Sequence, residues 1–211
     1  MATATARELA VRRGIRLEGI TVGWMAAEAV LAIGAGIAAG SVLLAAFGFD
    51  SLIELLSGAV LLWRLTVEAK GAAIERVERL EARTTRVSAA LLILLCGFVV
   101  VTSVAGLVTG LKAEVSVLGI FVAVSAVIAM PLLAAAKSRA NRIVDSASLR
   151  ADIAETITCA YMAGVTLAGV ALSAVPALWW TQYVAAFALL IWLIPETREA
   201  LTAASDSPSK E

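Results

Sequence analysis

The chain has 211 residues, 61% of them hydrophobic, and its 17 basic residues balance 17 acidic ones for a net charge of zero. A mean hydropathy of +0.92 excludes an ordinary water-soluble domain, and the scatter of basic residues in clusters between apolar runs argues against a nucleic-acid partner. There is no histidine, and the two cysteines, Cys96 and Cys159, lie inside apolar runs at a spacing that fits neither a disulfide framework nor a zinc finger.

Residues 1–17 read as a polar tail carrying Arg7, Arg12, Arg13 and Arg16. The first apolar segment runs from Gly19 to Ala39, holds Glu28 and ends in the small-residue run Gly34 to Gly40. Five more apolar segments follow it, so it does not read as a cleaved leader. The second, Ser41 to Val67, carries Asp50 and Glu54. A charged stretch, Glu68 to Arg86, comes next; its Glu75–Arg79 pair has the spacing that supports a helix extending into water. The third segment spans Ser88 to Gly110, and the fourth Val115 to Ala136 with Pro131 near its end. A basic loop is expected from Lys137 to Arg150. The fifth segment runs from Ala151 to Val175 and is closed by Pro176. The sixth, Trp179 to Ile194, is stopped by Pro195, leaving a short frayed tail over 196–211.

About 20 apolar residues cross a bilayer as a helix. The expected architecture is therefore all-α: a polytopic membrane protein with six transmembrane helices over 18–195, with cytoplasmic connections 68–87 and 137–150. Arginine and lysine crowd the N-terminal tail, the 2–3 connection and the 4–5 connection, whereas the opposite side has only Lys112. That asymmetry places both termini in the cytoplasm, in a cell (inner) membrane. Trp179 and Trp180 then fall at the outer interface and Trp24 and Trp63 near the inner one, as aromatic anchors.

Two stretches carry chemistry. Asp50 and Glu54 are four residues apart, about 6 Å and nearly one helical turn, so they share a face. Asp152, Glu155 and Cys159 follow an i, i+3, i+7 pattern on one face of the fifth segment. Counting the helical rise, Asp50 lies about 14 Å, Glu28 about 13 Å, Glu155 about 10 Å and Cys159 about 16 Å from the starts of their segments. In a hydrocarbon core of about 30 Å all approach the midplane. Unpaired carboxylates there are costly and repel one another. Asp50, Glu54, Glu155 and Cys159 together make a four-ligand shell for a divalent metal, Zn2+ by its mixed oxygen and sulfur donors, with Fe2+, Mn2+, Co2+ and Cd2+ as alternatives. When such an ion leaves, the carboxylates take up protons, so metal–proton exchange follows from the ligands themselves. Glu28 and Asp152 are possible proton or auxiliary sites. Other readings stay open: Asp50 as a helix cap, Glu155 and Asp152 as groups satisfying a helix N-terminus, Cys159 as a small buried hydrophobe, and the small-residue run as a helix-packing face.

These stretches resemble the membrane domain of the cation diffusion facilitator family. FGFDSLIELLSG, Phe47 to Gly58, is similar to that family's helix 2 motif, with Asp50 and Glu54 at the ligand positions. SASLRADIAETITC, Ser146 to Cys159, resembles the run into its helix 5, with Asp152 at the acidic position preceding the ligands; Glu155 and Cys159 stand where the family commonly has His and Asp. The resemblance covers about residues 15–195. It implies six helices, cytoplasmic termini and a metal site between helices 2 and 5. The family's usual C-terminal cytoplasmic domain has no counterpart in 196–211, so a homodimer would be held by membrane helices, including the third. The expected function is proton-coupled export of a divalent cation, with no enzymatic activity and no resident cofactor; the partners are the ion, protons and the lipid bilayer. The alternatives are an exporter of organic cations, favoured by Glu28 beside Trp24, and a non-transporting membrane interaction protein.

Overall fold

The computed structural model describes the backbone of residues 2–69, 75–144 and 147–206. Six α-helices account for nearly all of it: α1 (Ala2–Ala39), α2 (Val42–Ala69), α3 (Glu75–Thr109), α4 (Val117–Val144), α5 (Ala147–Ser173) and α6 (Thr181–Asp206), with a 3₁₀ turn at Pro176–Leu178 before α6. Among the described residues there is no strand.

Two turns between helices follow from glycine and serine. Gly40 takes φ 62, a conformation that costs a Cβ-bearing residue, and the Ser41 amide then donates to the Gly36 carbonyl at 2.9 Å. That is a left-handed helix cap. The Ser41 hydroxyl in turn accepts the Leu44 amide at 3.3 Å and opens α2. The α3–α4 connection repeats the device: Gly110 at φ 68, Leu111 N–H to Gly106 O at 3.1 Å, and the Ser116 hydroxyl accepting the Gly119 amide at 3.0 Å.

Several boundaries differ from the sequence expectation. The stretch read as a tail over 1–17 is helical from Ala2 onward; its alanines, arginines and leucines are strong helix formers, and they outweigh the single Gly14. The expected basic loop from 137 to 150 is also mostly helix, because α4 continues to Val144 and α5 begins at Ala147. Residues 145–146 lie outside the described residues. Pro195 does not stop α6, which runs on to Asp206, so 196–206 is helix rather than tail; Pro131 likewise sits inside α4. A proline removes one backbone donor and crowds the preceding turn, which a helix packed against neighbours tolerates. Pro176 does mark an end, since α5 stops at Ser173. The charged stretch is helical where described, finishing α2 and opening α3 at Glu75; 70–74 lie outside the described residues.

Five helical stretches are long and apolar enough to cross a membrane: Arg12–Ala39, Val42–Val67, Ala82–Thr109, Val117–Ile143 and Asp152–Ser173. The apolar run of α6, Tyr183 to Ile194, is bounded by Gln182 on one side and Glu196 and Arg198 on the other, which leaves it short of that measure. The outward side chains of α3 and α4 are apolar, with Val108 82%, Val117 78% and Phe121 65% exposed. Such a surface suits lipid and not water, and the chain reads as a multi-pass integral membrane protein.

Helix α2 lies at the centre and packs on α1, α3, α5 and α6; α1 also packs on α4, α4 on α5, α5 on α6 and α3 on α6. The α1–α2 crossing is close because both faces are small. A Cβ on Gly36 would lie 2.5 Å from the Ala45 nitrogen, and one on Gly48 2.6 Å from the Ile33 nitrogen. Within the run from Gly34 to Gly40, Ala35, Gly36 and Ala39 are the buried packing positions, whereas Gly34, Ile37 and Ala38 face outward. Toward the α1–α2 turn the interior is filled by Leu43, Leu44 and Phe47, all fully buried. At the same end the Tyr183 hydroxyl donates to the Leu111 carbonyl at 3.0 Å.

Candidate cation site

Below that apolar plug, α2 turns Asp50 and Glu54 into the interior, where they are 1% and 3% exposed. None of their four carboxylate oxygens has a hydrogen-bond partner. The charged groups acting on Asp50 are the carboxylates of Glu196, Glu28 and Glu155; those acting on Glu54 are Asp50, Glu196 and Glu155. No basic side chain offsets them among these neighbours. Burying a carboxylate with neither a counter-charge nor a donor costs several kcal/mol, so the arrangement demands a cation or protons.

Helix α5 brings up the other half. Cys159 is 1% exposed, and its thiol donates to Glu28 Oε1 at 3.7 Å. It also lies beside the Glu54 carboxyl, without a geometry that hydrogen-bonds that group. Glu155, one turn toward the start of α5, is half-buried and feels Glu196, Asp152 and Glu18 as like charges and Lys137 as an opposite one.

Glu28, from α1, is 2% exposed and joins three helices. Its Oε1 accepts the Ser51 hydroxyl of α2 at 2.7 Å as well as the Cys159 thiol. Its Oε2 accepts the Trp24 indole N–H at 2.7 Å. Trp24, read from the sequence as a membrane anchor, therefore also holds a buried carboxylate.

Asp152 belongs to a different cluster. Lys137, fully buried, donates to Asp152 Oδ1 at 2.9 Å and Thr156 Oγ1 at 3.3 Å, and it pairs with Asp152 Oδ2 at 2.6 Å and Glu18 Oε2 at 2.9 Å. This network ties α1, α4 and α5 together. Sequence reasoning assigned Lys137 to a basic cytoplasmic loop and passed over Glu18. The usable signal was their position: each lies within one turn of an apolar run whose neighbouring segment supplies an opposite charge.

Glu196 was also missed, because α6 was expected to end at Pro195. Its Oε2 is buried without a hydrogen-bond partner.

The six acidic and thiol side chains of this region thus come from α1, α2, α5 and α6. As they stand, no group of three or more His, Cys, Asp or Glu among the described residues could hold a metal ion. An ion bound here would have to draw Asp50, Glu54, Glu155 and Cys159 inward.

No protein-family model and no curated protein matches this chain. The chemistry of the interior has to be read from its own residues. Their donor set is carboxylate oxygen with one sulfur, which suits a divalent cation of borderline character.

Proposed function

We propose that this protein is a divalent-cation transporter that exports its substrate from the cytoplasm in exchange for protons, with α6 as a sixth crossing and both termini cytoplasmic. The observation that carries this reading is the pair of buried, unpartnered carboxylates on α2, Asp50 and Glu54, opposite Glu155 and Cys159 on α5. A dication drawn between α2 and α5 neutralises these groups and takes the place of the missing donors. Protons do the same when the ion departs, so the interior alternates between two neutralised forms. Each form removes the repulsion that the empty, ionised site would suffer. Alternating access then needs only that α2 and α5 tilt to open one side or the other. Zn2+ is the substrate that three carboxylates and a thiolate favour, with Fe2+, Mn2+, Co2+ and Cd2+ close behind. The sequence resemblance to the cation diffusion facilitator membrane domain supports the same site residues, and a dimer through membrane helices belongs to the same reading.

The organic-cation alternative needs Glu28 open beside Trp24. Both oxygens of Glu28 already accept hydrogen bonds, one of them from Trp24 itself, which favours the metal reading.

The test is flux. The protein is reconstituted in vesicles and a panel of divalent ions is screened with a simultaneous pH readout. Divalent uptake with opposite proton movement, lost in Asp50→Asn and Glu54→Gln, is expected. No ion-dependent proton movement by the wild-type protein would refute transport.

A further inference from the structure

We infer that Glu196 of α6 is a further cation-binding carboxylate, paired with Glu155 on the more exposed flank of the α2–α5 site. The inference rests on the transport reading and extends it to a helix that the reading does not use.

The helical pattern puts Glu196 inside. Ala186, Leu189 and Leu193 are fully buried, and Ala200 packs against the core. With Glu196 these residues form a 3, 4, 3, 4 series, the inward stripe of an α-helix. A carboxylate standing in a stripe of alanines and leucines is out of place unless something in the interior receives it. Its Oε2 is buried and unpartnered. Independently, Asp50 is 1% exposed with both oxygens unpartnered, and Glu196 is foremost among the charged groups acting on it. Glu196 is also foremost among those acting on Glu155. Three helices thus aim carboxylates at one region, and none of the charged groups that act on Asp50 or Glu196 is basic.

Position along the helices orders these groups. Counting the rise from the plugged end, Asp50 lies about 12 Å along α2 and Glu54 about 18 Å. Glu196 lies about 22 Å along α6, and Glu155 about 27 Å back along α5 from Ser173. Exposure follows the same order: Asp50 and Glu54 are buried, Glu155 and Glu196 half-buried. Glu155 and Glu196 therefore stand where an ion first meets the site from the unplugged side, and Asp50 and Glu54 where it is fully enclosed. The outer pair offers oxygen only, which suits a hard dication such as Mn2+. The sulfur of Cys159 lies deeper, between them and the plug.

The experiment measures Mn2+ binding to the purified full-length protein, by the loss of the free-ion electron paramagnetic resonance signal, and Cd2+ binding by competition. Glu196→Gln is expected to weaken Mn2+ roughly tenfold or more and Cd2+ less, since Cd2+ retains the thiolate. Glu199→Gln, an exposed carboxylate one turn on, is expected to bind as wild type. Glu196→Asp keeps the charge and serves if the glutamine variant fails to fold; the shortened side chain should still weaken Mn2+ selectively. Mn2+ affinity unchanged in Glu196→Gln, or in Glu196→Asp where only that variant folds, while Asp50→Asn lowers it, overturns the role of Glu196 and leaves the transport reading standing. Wild-type protein that binds neither ion overturns both.

Discussion

The Cys159 thiol of α5 donates to the Glu28 carboxylate of α1 at 3.7 Å, across 131 positions of sequence. The same thiol lies beside the Glu54 carboxyl, so it has two roles to choose between: a ligand, when its proton leaves, or a donor that holds Glu28 in place.

Replacing Cys159 by serine separates them. Serine keeps a donor for Glu28 and removes the soft sulfur. Binding of Zn2+ and Cd2+ should fall roughly tenfold or more, and that of Mn2+ much less. Equal losses for soft and hard ions in a competition assay would assign Cys159 to positioning Glu28 alone.

Lys137 is predicted to hold the α1–α4–α5 junction. Lys137→Met leaves Glu18 and Asp152 buried without their cation, a loss of about 3–5 kcal/mol. Thermal unfolding in detergent should show it as a lower midpoint. Combining it with Glu18→Gln and Asp152→Asn should restore much of the loss, because the orphaned charges go too. A single variant as stable as wild type would show that the network contributes little.

The α1–α2 crossing gives a contrast between two glycines. Gly48→Ala forces a methyl against the Ile33 backbone at 2.6 Å and should destabilise by about 1–3 kcal/mol. Gly34→Ala meets nothing within 4 Å and should stabilise by up to about 1 kcal/mol through helix propensity. The same unfolding assay reads both.

Much of this interior was legible in the sequence, and the parts that were not share a cause. Asp50 and Glu54 could be placed on one buried face because helical spacing inside a continuous apolar run leaves no other geometry. Glu28 was visible as an isolated charge at the right depth, beside Trp24 on its own helix, but not its Ser51 and Cys159 donors, since contacts between distant helices have no local signature. Lys137, Glu18 and Glu196 were misplaced because charge was taken to mark where a membrane segment stops. In this fold the helices carry on past these charges, which turn inward: Lys137 and Glu18 pair there, while Glu196 Oε2 is left without a hydrogen-bond partner. Pro195 misled for a related reason: proline ends an isolated helix more surely than one whose neighbours hold it.

The central claim is that acidic side chains of α2 and α5 close on one ion. Equilibrium Zn2+ binding to wild type, Asp50→Asn, Glu155→Gln and the double variant tests it most directly. One site per chain is predicted in wild type, weakened in each single variant, with the double variant losing less than the sum because both changes strike the same ion. Zn2+ bound by the double variant as tightly as by wild type would contradict the account.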